Sequence, residues 1–226
     1  MILWHPVQDI LVSCSYDDTI RIWRESEDDW YSSAVLSGHS STVWAVDFDP
    51  TGNYIASCSE DLTIKIWTCK DSSNSKDVGF STDSDWDCIF TVPAGAHSRA
   101  IYSISWSKHY PQPKITSINE DGSILVHNGY ISTGSGDNSI CIFKVTSQLL
   151  PKKTELATPL LSEGSSITLN EFNLVKMDVE LVTKVENAHM SYDINSVSWN
   201  PNPDYSGLLT SAGDDDNARI WNFEKK

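Results

Sequence analysis

Short runs of alternating apolar and polar residues recur along the chain, separated by clusters of Ser, Asp, Asn and Gly. In "TIRIW", "TIKIW" and "IYSISW" apolar side chains recur at every second position, the period of a strand that presents two faces. The turn residues between such runs, Tyr16-Asp17-Asp18 and Glu60-Asp61 among them, predict hairpins. The runs form a ladder when aligned on a closing aromatic. "LVSCSYDDTIRIW" ends at Trp23, "IASCSEDLTIKIW" at Trp67, "ISTGSGDNSICIF" at Phe143 and "LTSAGDDDNARIW" at Trp221. In each, a Ser or Thr stands ten residues and an Asp six residues before the aromatic: Ser13 and Asp17, Ser57 and Asp61, Thr133 and Asp137, Ser211 and Asp215. Three units are preceded by a His after a small residue, at Gly38-His39, Ala96-His97 and Ala188-His189, and then by an apolar strand, "VWAVDF", "IYSISW" or "INSVSW".

Strands in radially packed sheets are buried on both faces, so polar groups between the layers must be satisfied internally. A His, a Ser or Thr, a turn Asp and a Trp N–H can form one closed hydrogen-bond chain across a sheet. The pattern resembles the WD40 repeat over nearly the whole chain, which implies an all-β propeller. In that family His39, Ser57, Asp61 and Trp67 form the structural tetrad of one blade. The same spacing assigns Ser13, Asp17 and Trp23 to the blade before, His97, Thr133, Asp137 and Phe143 to the one after, and His189, Ser211, Asp215 and Trp221 to the last. Because the set recurs and each Asp is tied to a turn, it reads as architecture and not as a catalytic triad. The chain is expected not to be an enzyme.

The expected organisation is one domain over residues 1–226, with blades at approximately 1–36, 37–92, 95–185 and 187–226. The third blade departs from the pattern: His97 and Phe143 are 46 positions apart (143 − 97), His39 and Trp67 only 28 (67 − 39). A rival hairpin, "ITSINEDGSILVH", has Asp121 in its turn and His127 where Trp belongs. Only one hairpin is expected to complete the blade. The choice falls on Ile131–Phe143, which keeps Thr133, Asp137 and Phe143 and leaves Ser107–Tyr130 as an insertion. Residues 68–85 and 145–175 read as long flexible loops before the outer strands "WDCIFTV" and "DVELVTKV". Rings of this repeat usually carry seven blades. About four are expected here, the first truncated and the last without its outer strand, so the chain reads as the C-terminal portion of a longer protein.

Nine Trp and eight Tyr suit flat packing surfaces, and a formal net charge of −15 makes nucleic acid a poor partner. A protein or basic peptide fits better. Cys14, Cys58, Cys69, Cys88 and Cys141 are odd in number and show no C-x-x-C spacing, which fits a reducing compartment and neither a disulfide framework nor a zinc site. Cys14 and Cys58 share one repeat position next to the tetrad Ser and read as core. No apolar run approaches the roughly 20 residues of a membrane span, and "MILWHP" lacks the form of a signal peptide. No cofactor, metal or membrane partner is expected.

Four phrases carry a more specific resemblance, "SYDDTIRIW", "EDDWYSSAVLSGHSSTVWAVDFDPTG", "HSRAIYSISW" and "AHMSYDINSVSWNP"; within them Glu27-Asp28-Asp29-Trp30 and His97-Ser98-Arg99 before Ile101-Tyr102 are not required by the tetrad. They resemble the WD40 family of cytosolic iron–sulfur protein assembly. The resemblance implies a non-catalytic scaffold of the cytosolic cluster-targeting complex, cytoplasmic and also nuclear. Its implied partners are a HEAT-repeat targeting subunit, a small adaptor, an iron-only-hydrogenase-like carrier and apoprotein clients. Other readings stay open: a ubiquitin-ligase substrate receptor, a propeller hydrolase, or a truncated product without function. The receptor reading lacks its Trp-Asp-x-Arg motif, since "WRES" and "WTCK" follow the third strands.

The loop entering each innermost strand is expected at the rim of one propeller face. There Trp44, Tyr102 and Asn195 are equivalent, and Thr42, Arg99 and Asp193 precede them. Trp, Tyr and Arg dominate binding hot spots. Trp44, Arg99, Tyr102, Asp193 and Asn195 are therefore the candidate partner-binding residues.

Overall fold

The computed structural model describes residues 1–69, 86–108, 114–119, 123–151 and 172–223. Four antiparallel sheets follow one another in chain order. The first holds β1 (Ile2–Trp4), β2 (Ile10–Cys14), β3 (Thr19–Glu25) and β4 (Trp30–Ser37). The second holds β5 (Val43–Phe48), β6 (Tyr54–Ser59), β7 (Ile64–Cys69) and β8 (Trp86–Val92). The third is built from β9 (Ile101–Trp106), β10 (Lys114–Ile118), β11 (Ile124–Ser135), β12 (Ile140–Pro151) and β13 (Phe172–Val185), and the last from β14 (Ile194–Trp199), β15 (Leu208–Gly213) and β16 (Ala218–Asn222).

Burial follows position within a blade. All six residues of β6 are buried, as a strand sandwiched by neighbouring sheets requires, whereas β4 and β8 expose much of their length. Three apolar clusters lie across the blades and not within single sheets. One joins Val12, Ile22 and Leu36 of the first blade to Val46, Phe48 and Trp67 of the second. A second joins Ile66 to Ile104, Trp106 and Phe143, and a third joins Ile142 to Val197 and Trp199. Such packing of successive sheets is that of propeller blades, with β5, β9 and β14 innermost.

Side chains also tie the innermost strands together. Asp47 on β5 is 7% exposed; one carboxylate oxygen accepts from the Trp106 N–H of β9 at 2.7 Å. Its other oxygen accepts from Lys108 Nζ at 2.7 Å and from the Phe48 N–H. Between the third and fourth blades the ties are hydroxyls: the Val197 and Trp199 N–H groups donate to Ser103 and Ser105 Oγ. Between the first and second, His5 is locked as one tautomer. Its Nδ1 accepts from the Val7 and Gln8 N–H groups, so Nε2–H donates to the Gly52 carbonyl at 3.1 Å. A Cβ at Gly52, where φ is +77°, would stand 2.3 Å from the His5 ring, so only glycine admits this contact.

The third blade corrects two sequence expectations. Both hairpins form, as consecutive halves of one strand: β11 pairs with β10 over Ile124–His127 and with β9 over Ile131–Ser135, while β12 follows its whole length. The partner changes at a register shift between His127 and Tyr130. There Gly129 takes φ +96°, and a Cβ would press to 2.8 Å on Ser107 Oγ. The Asn128 carbonyl accepts the Trp106 indole N–H, so a local bend satisfies a buried donor. Most of the supposed insertion is thus an outward extension of the blade, with its own small core of Ile115, Ile124, Val126 and Leu149. Asp121 lies outside the described residues.

The second correction concerns the expected loop at 145–175, whose flanks are strand: β12 runs on to Pro151 and β13 begins at Phe172. Alternation persists there, with Val145, Ser147 and Leu149 buried and Leu150 exposed, a signal masked by the polar residues between. Of the loop expected at 68–85, Thr68 and Cys69 belong to β7, and the remainder lies outside the described residues.

Candidate interaction face

The tetrad residues meet inside the blades. In the second, Trp67 Nε1–H donates to Ser57 Oγ at 2.9 Å, and Ser57 Oγ stands 2.7 Å from His39 Nε2. The indole occupies a lone pair of the hydroxyl, so the Ser57 proton goes to His39 Nε2 and His39 Nδ1–H donates to Asp61 at 2.8 Å. Burial lowers the His39 pKa against the opposing pull of Asp61, keeping the ring neutral. Burial would raise the Asp61 carboxyl, but hydrogen bonds from Thr63, the Ser40 N–H and His39 outweigh it and bring it down to about 2. A neutral imidazole beside an ionised carboxylate satisfies the whole chain. The fourth blade repeats these hydrogen-bond contacts through Trp221, Ser211, His189 and Asp215, at 2.8, 2.7 and 2.6 Å.

The other two blades are variations. In the third, His97 Nε2 meets Thr133 Oγ1 at 2.7 Å and Nδ1 meets Asp137 at 3.1 Å, while Phe143 brings no N–H. Lys184 of β13 approaches Asp137 to 3.5 Å. In the first, Trp23 donates to Ser13 at 2.8 Å without a His among the described residues, and Asp17 accepts from Thr19 in its turn. The residue after each Asp adopts the left-handed conformation: Asp18, Leu62, Asn138 and Asp216, with φ between 59° and 67°. Asn and Asp tolerate this geometry; Leu62 does not.

These sets face inward. Ser57, Thr133 and Ser211 are at most 3% exposed and already hydrogen-bonded to His39, His97 and His189. None presents a hydroxyl nucleophile to solvent. The thiols of Cys14, Cys58 and Cys141 are buried too. Burial raises the pKa of each, Cys58 well above the ordinary value and Cys141 to about 12, so they pack as small apolar groups and not as thiolates. Among the described residues no cluster of His, Cys, Asp and Glu could hold a metal.

The candidate partner-binding residues gather at one end of the blades. The turns between second and third strands fold back onto the loops that lead to the innermost strands, through Glu60 N–H to Thr42 O, Gly136 N–H to Ala100 O and Asp214 N–H to Asp193 O. Trp44 stacks edge-to-face on Tyr102, with centroids 5.3 Å apart, and also on Tyr16 at 5.2 Å. Its indole N–H is buried and meets no acceptor among the described residues. Arg99 donates to the Gly136 carbonyl and, at 3.0 Å, to Asp193. Asn195 donates to Asp214. Trp44, Tyr102, Arg99 and Asp193 therefore form one connected patch, with Asn195 beside it.

Sequence reasoning missed Tyr16 and Glu60 on this rim. The available signal was their shared place just before the tetrad Asp. It also missed His5, Asp47 and Lys108, whose partners lie on other blades and leave no local spacing.

Four sheets, inward-facing tetrads and an exposed rim are the architecture of WD40 repeats. The model for the WD domain, G-beta repeat, matches residues 2–24, 30–68 and 181–222, passing over most of the extended third blade. The chain is similar to "Probable cytosolic iron-sulfur protein assembly protein 1" of Pyricularia oryzae, 30% identical over 96% of this chain and 51% of the relative. It is likewise similar to "Probable cytosolic iron-sulfur protein assembly protein Ciao1" of Aedes aegypti and of Culex quinquefasciatus, 35% and 34% identical, each over 91% of this chain and 48% of the relative. The chain spans about half the length of these relatives. In fold it is similar to the crystal structure of the C-terminal WD40 domain of Sif2, with a TM-score of 0.57 and 14% identity, over 100% of this chain and 46% of that one. The open run of four sheets is a partial propeller.

Proposed function

We propose that the chain is a non-catalytic scaffold of cytosolic iron–sulfur protein assembly that docks protein partners on the rim formed by Trp44, Arg99, Tyr102, Asp193 and Asn195. The observation carrying this reading is the similarity to proteins named for that process along 91–96% of the chain. The inward closure of the tetrads supports a scaffold over an enzyme, and the rim supplies the residue types that anchor interfaces. The proposed partners are a HEAT-repeat targeting subunit, a small adaptor, an iron-only-hydrogenase-like carrier and apoprotein clients. The proposed locations are the cytosol and the nucleus.

Affinity capture of the tagged chain from its own cells, with the partners identified by mass spectrometry, tests the scaffold. Capture of the targeting subunit and carrier is expected, and Arg99→Glu with Tyr102→Ala should abolish it while leaving the fold intact. Depletion should lower cytosolic but not mitochondrial iron–sulfur enzyme activities. Capture of chaperones alone, or unchanged cytosolic activities, would sink the reading.

A further inference from the structure

The rim has a chemistry more specific than a generic contact surface. The residues just before the tetrad aspartates are Tyr16, Glu60, Gly136 and Asp214. Tyr16 is 75% exposed and begins the edge-to-face row that continues through Trp44 to Tyr102. The half-buried Trp44 thus offers this rim its ring and not its N–H, which meets no acceptor among the described residues, and aromatic ring faces attract cations.

The surroundings of that row are negative. The four turns carry Asp18, Glu60, Asp214 and Asp216 and no Lys or Arg; their other carboxylates are engaged, Asp61, Asp137 and Asp215 inside the tetrads and Asp17 with Arg21. Burial and then the Asp193 and Glu60 carboxylates raise the pKa of the Tyr102 phenol, with Arg99 opposing them. Arg99, the cation of this patch, is committed to Asp193 and the Gly136 carbonyl. Glu60 is exposed, and its carboxylate holds no hydrogen bond or ion pair among the described residues. An acidic partner would meet repulsion here. A cation would meet both ring faces and an unpaired carboxylate.

We infer that this rim receives a basic segment of a partner protein, with an arginine lying along the Tyr16–Trp44–Tyr102 row and its guanidinium on Glu60. The inference rests on the reading of this face as the partner surface and adds the partner's chemistry. Arginine fits better than lysine because its flat guanidinium both stacks on aromatic rings and pairs with a carboxylate through two N–H groups.

Fluorescence anisotropy tests it with a labelled peptide of repeated Gly-Ser-Arg units, and with versions carrying citrulline or Glu in place of Arg. The Arg peptide is expected to bind, the uncharged citrulline version at least about tenfold more weakly, and the Glu version not to saturate. Glu60→Lys alters only an exposed side chain and should weaken the Arg peptide by about tenfold. Tyr102→Phe, which keeps the ring, should stay within about twofold. Equal affinity for the Arg and citrulline peptides, preference for the Glu peptide, no saturable binding at all, or indifference to Glu60→Lys would each overturn the inference. Cellular capture separates the two readings. Partners lost with Arg99→Glu plus Tyr102→Ala but kept with Glu60→Lys overturn the basic segment and leave the rim standing. Partners kept by both variants remove the rim, and the inference with it.

Discussion

The second and third blades close around the same His and Asp but finish differently. In the second, the Trp67 indole completes the chain through Ser57. In the third, Phe143 offers no donor, and Thr133 contributes its hydroxyl to His97 alone. What replaces the missing N–H lies elsewhere: Lys184 leans on Asp137, and the blade continues outward through β10, β11 and β12 around Ile124 and Leu149. Between these two blades the His–Asp contact is the constant part and the aromatic donor the variable one; the first blade is the converse, keeping Trp23 on Ser13 with no His in its set among the described residues. The third blade combines a missing donor with extra sheet beside it.

The strongest test removes the constant part. Asp61→Ala leaves His39, the Ser40 N–H and Thr63 without their acceptor, and should cost about 3 kcal/mol in urea unfolding. Asp137→Ala should cost at least as much, because Lys184 loses its carboxylate as well. A cost below about 1 kcal/mol at either site would show that the aromatic, and not the His–Asp pair, closes the blade.

Acid should separate the blades more gently. His39 has a lowered pKa, so the unfolded chain takes up its proton first; the stability it contributes is full above about 6.5 and falls as pH drops below that value. The Asp61 carboxyl, depressed to about 2, contributes stability that is present above its ordinary 3.8 and lost as pH falls toward 2. Asp137 is held lower still: burial alone would raise it, but hydrogen bonds from His97, Ser139 and the Ser98 N–H outweigh that effect. Amide exchange at Ser40 should therefore accelerate at a higher pH than exchange at Ser98, and the reverse order would break the comparison. A smaller loss, about 1–2 kcal/mol, is expected for Trp67→Phe, which copies the third blade's aromatic into the second without its extension. The smallest effect is a gain. Leu62→Asn relieves a left-handed leucine and should stabilise by about 0.5–1 kcal/mol, read as a shift in the urea midpoint.

The all-β partial propeller could be read from the sequence because a repeat states the same fact several times. Ser57, Asp61 and Trp67 are believable as a tetrad because Ser211, Asp215 and Trp221 stand at the same spacing. The third blade was hard for the converse reason: its long strands occur once, and His127 in a Trp position looked like a failed copy. In the structure His127 Nδ1 accepts from the Gly129 N–H at the bend where the strand changes partner. The rim was half legible. Trp44 and Tyr102 follow from strand alignment, but the commitment of Arg99 to Asp193 spans 94 residues and has no local trace. Cross-blade contacts such as Asp47 with Lys108 are invisible for the same reason.

The ties between innermost strands imply a direction of failure under mechanical load. The second and third blades are joined by a buried carboxylate that grips both a backbone N–H and a lysine, the third and fourth by two neutral serine hydroxyls. Charge-assisted hydrogen bonds are roughly twice as strong as neutral ones. Pulled from its C-terminal end, the arc should shed its fourth sheet at the lower force and leave the second and third as one block. Asp47→Ser would give both junctions the same kind of link, and the two rupture forces should then converge.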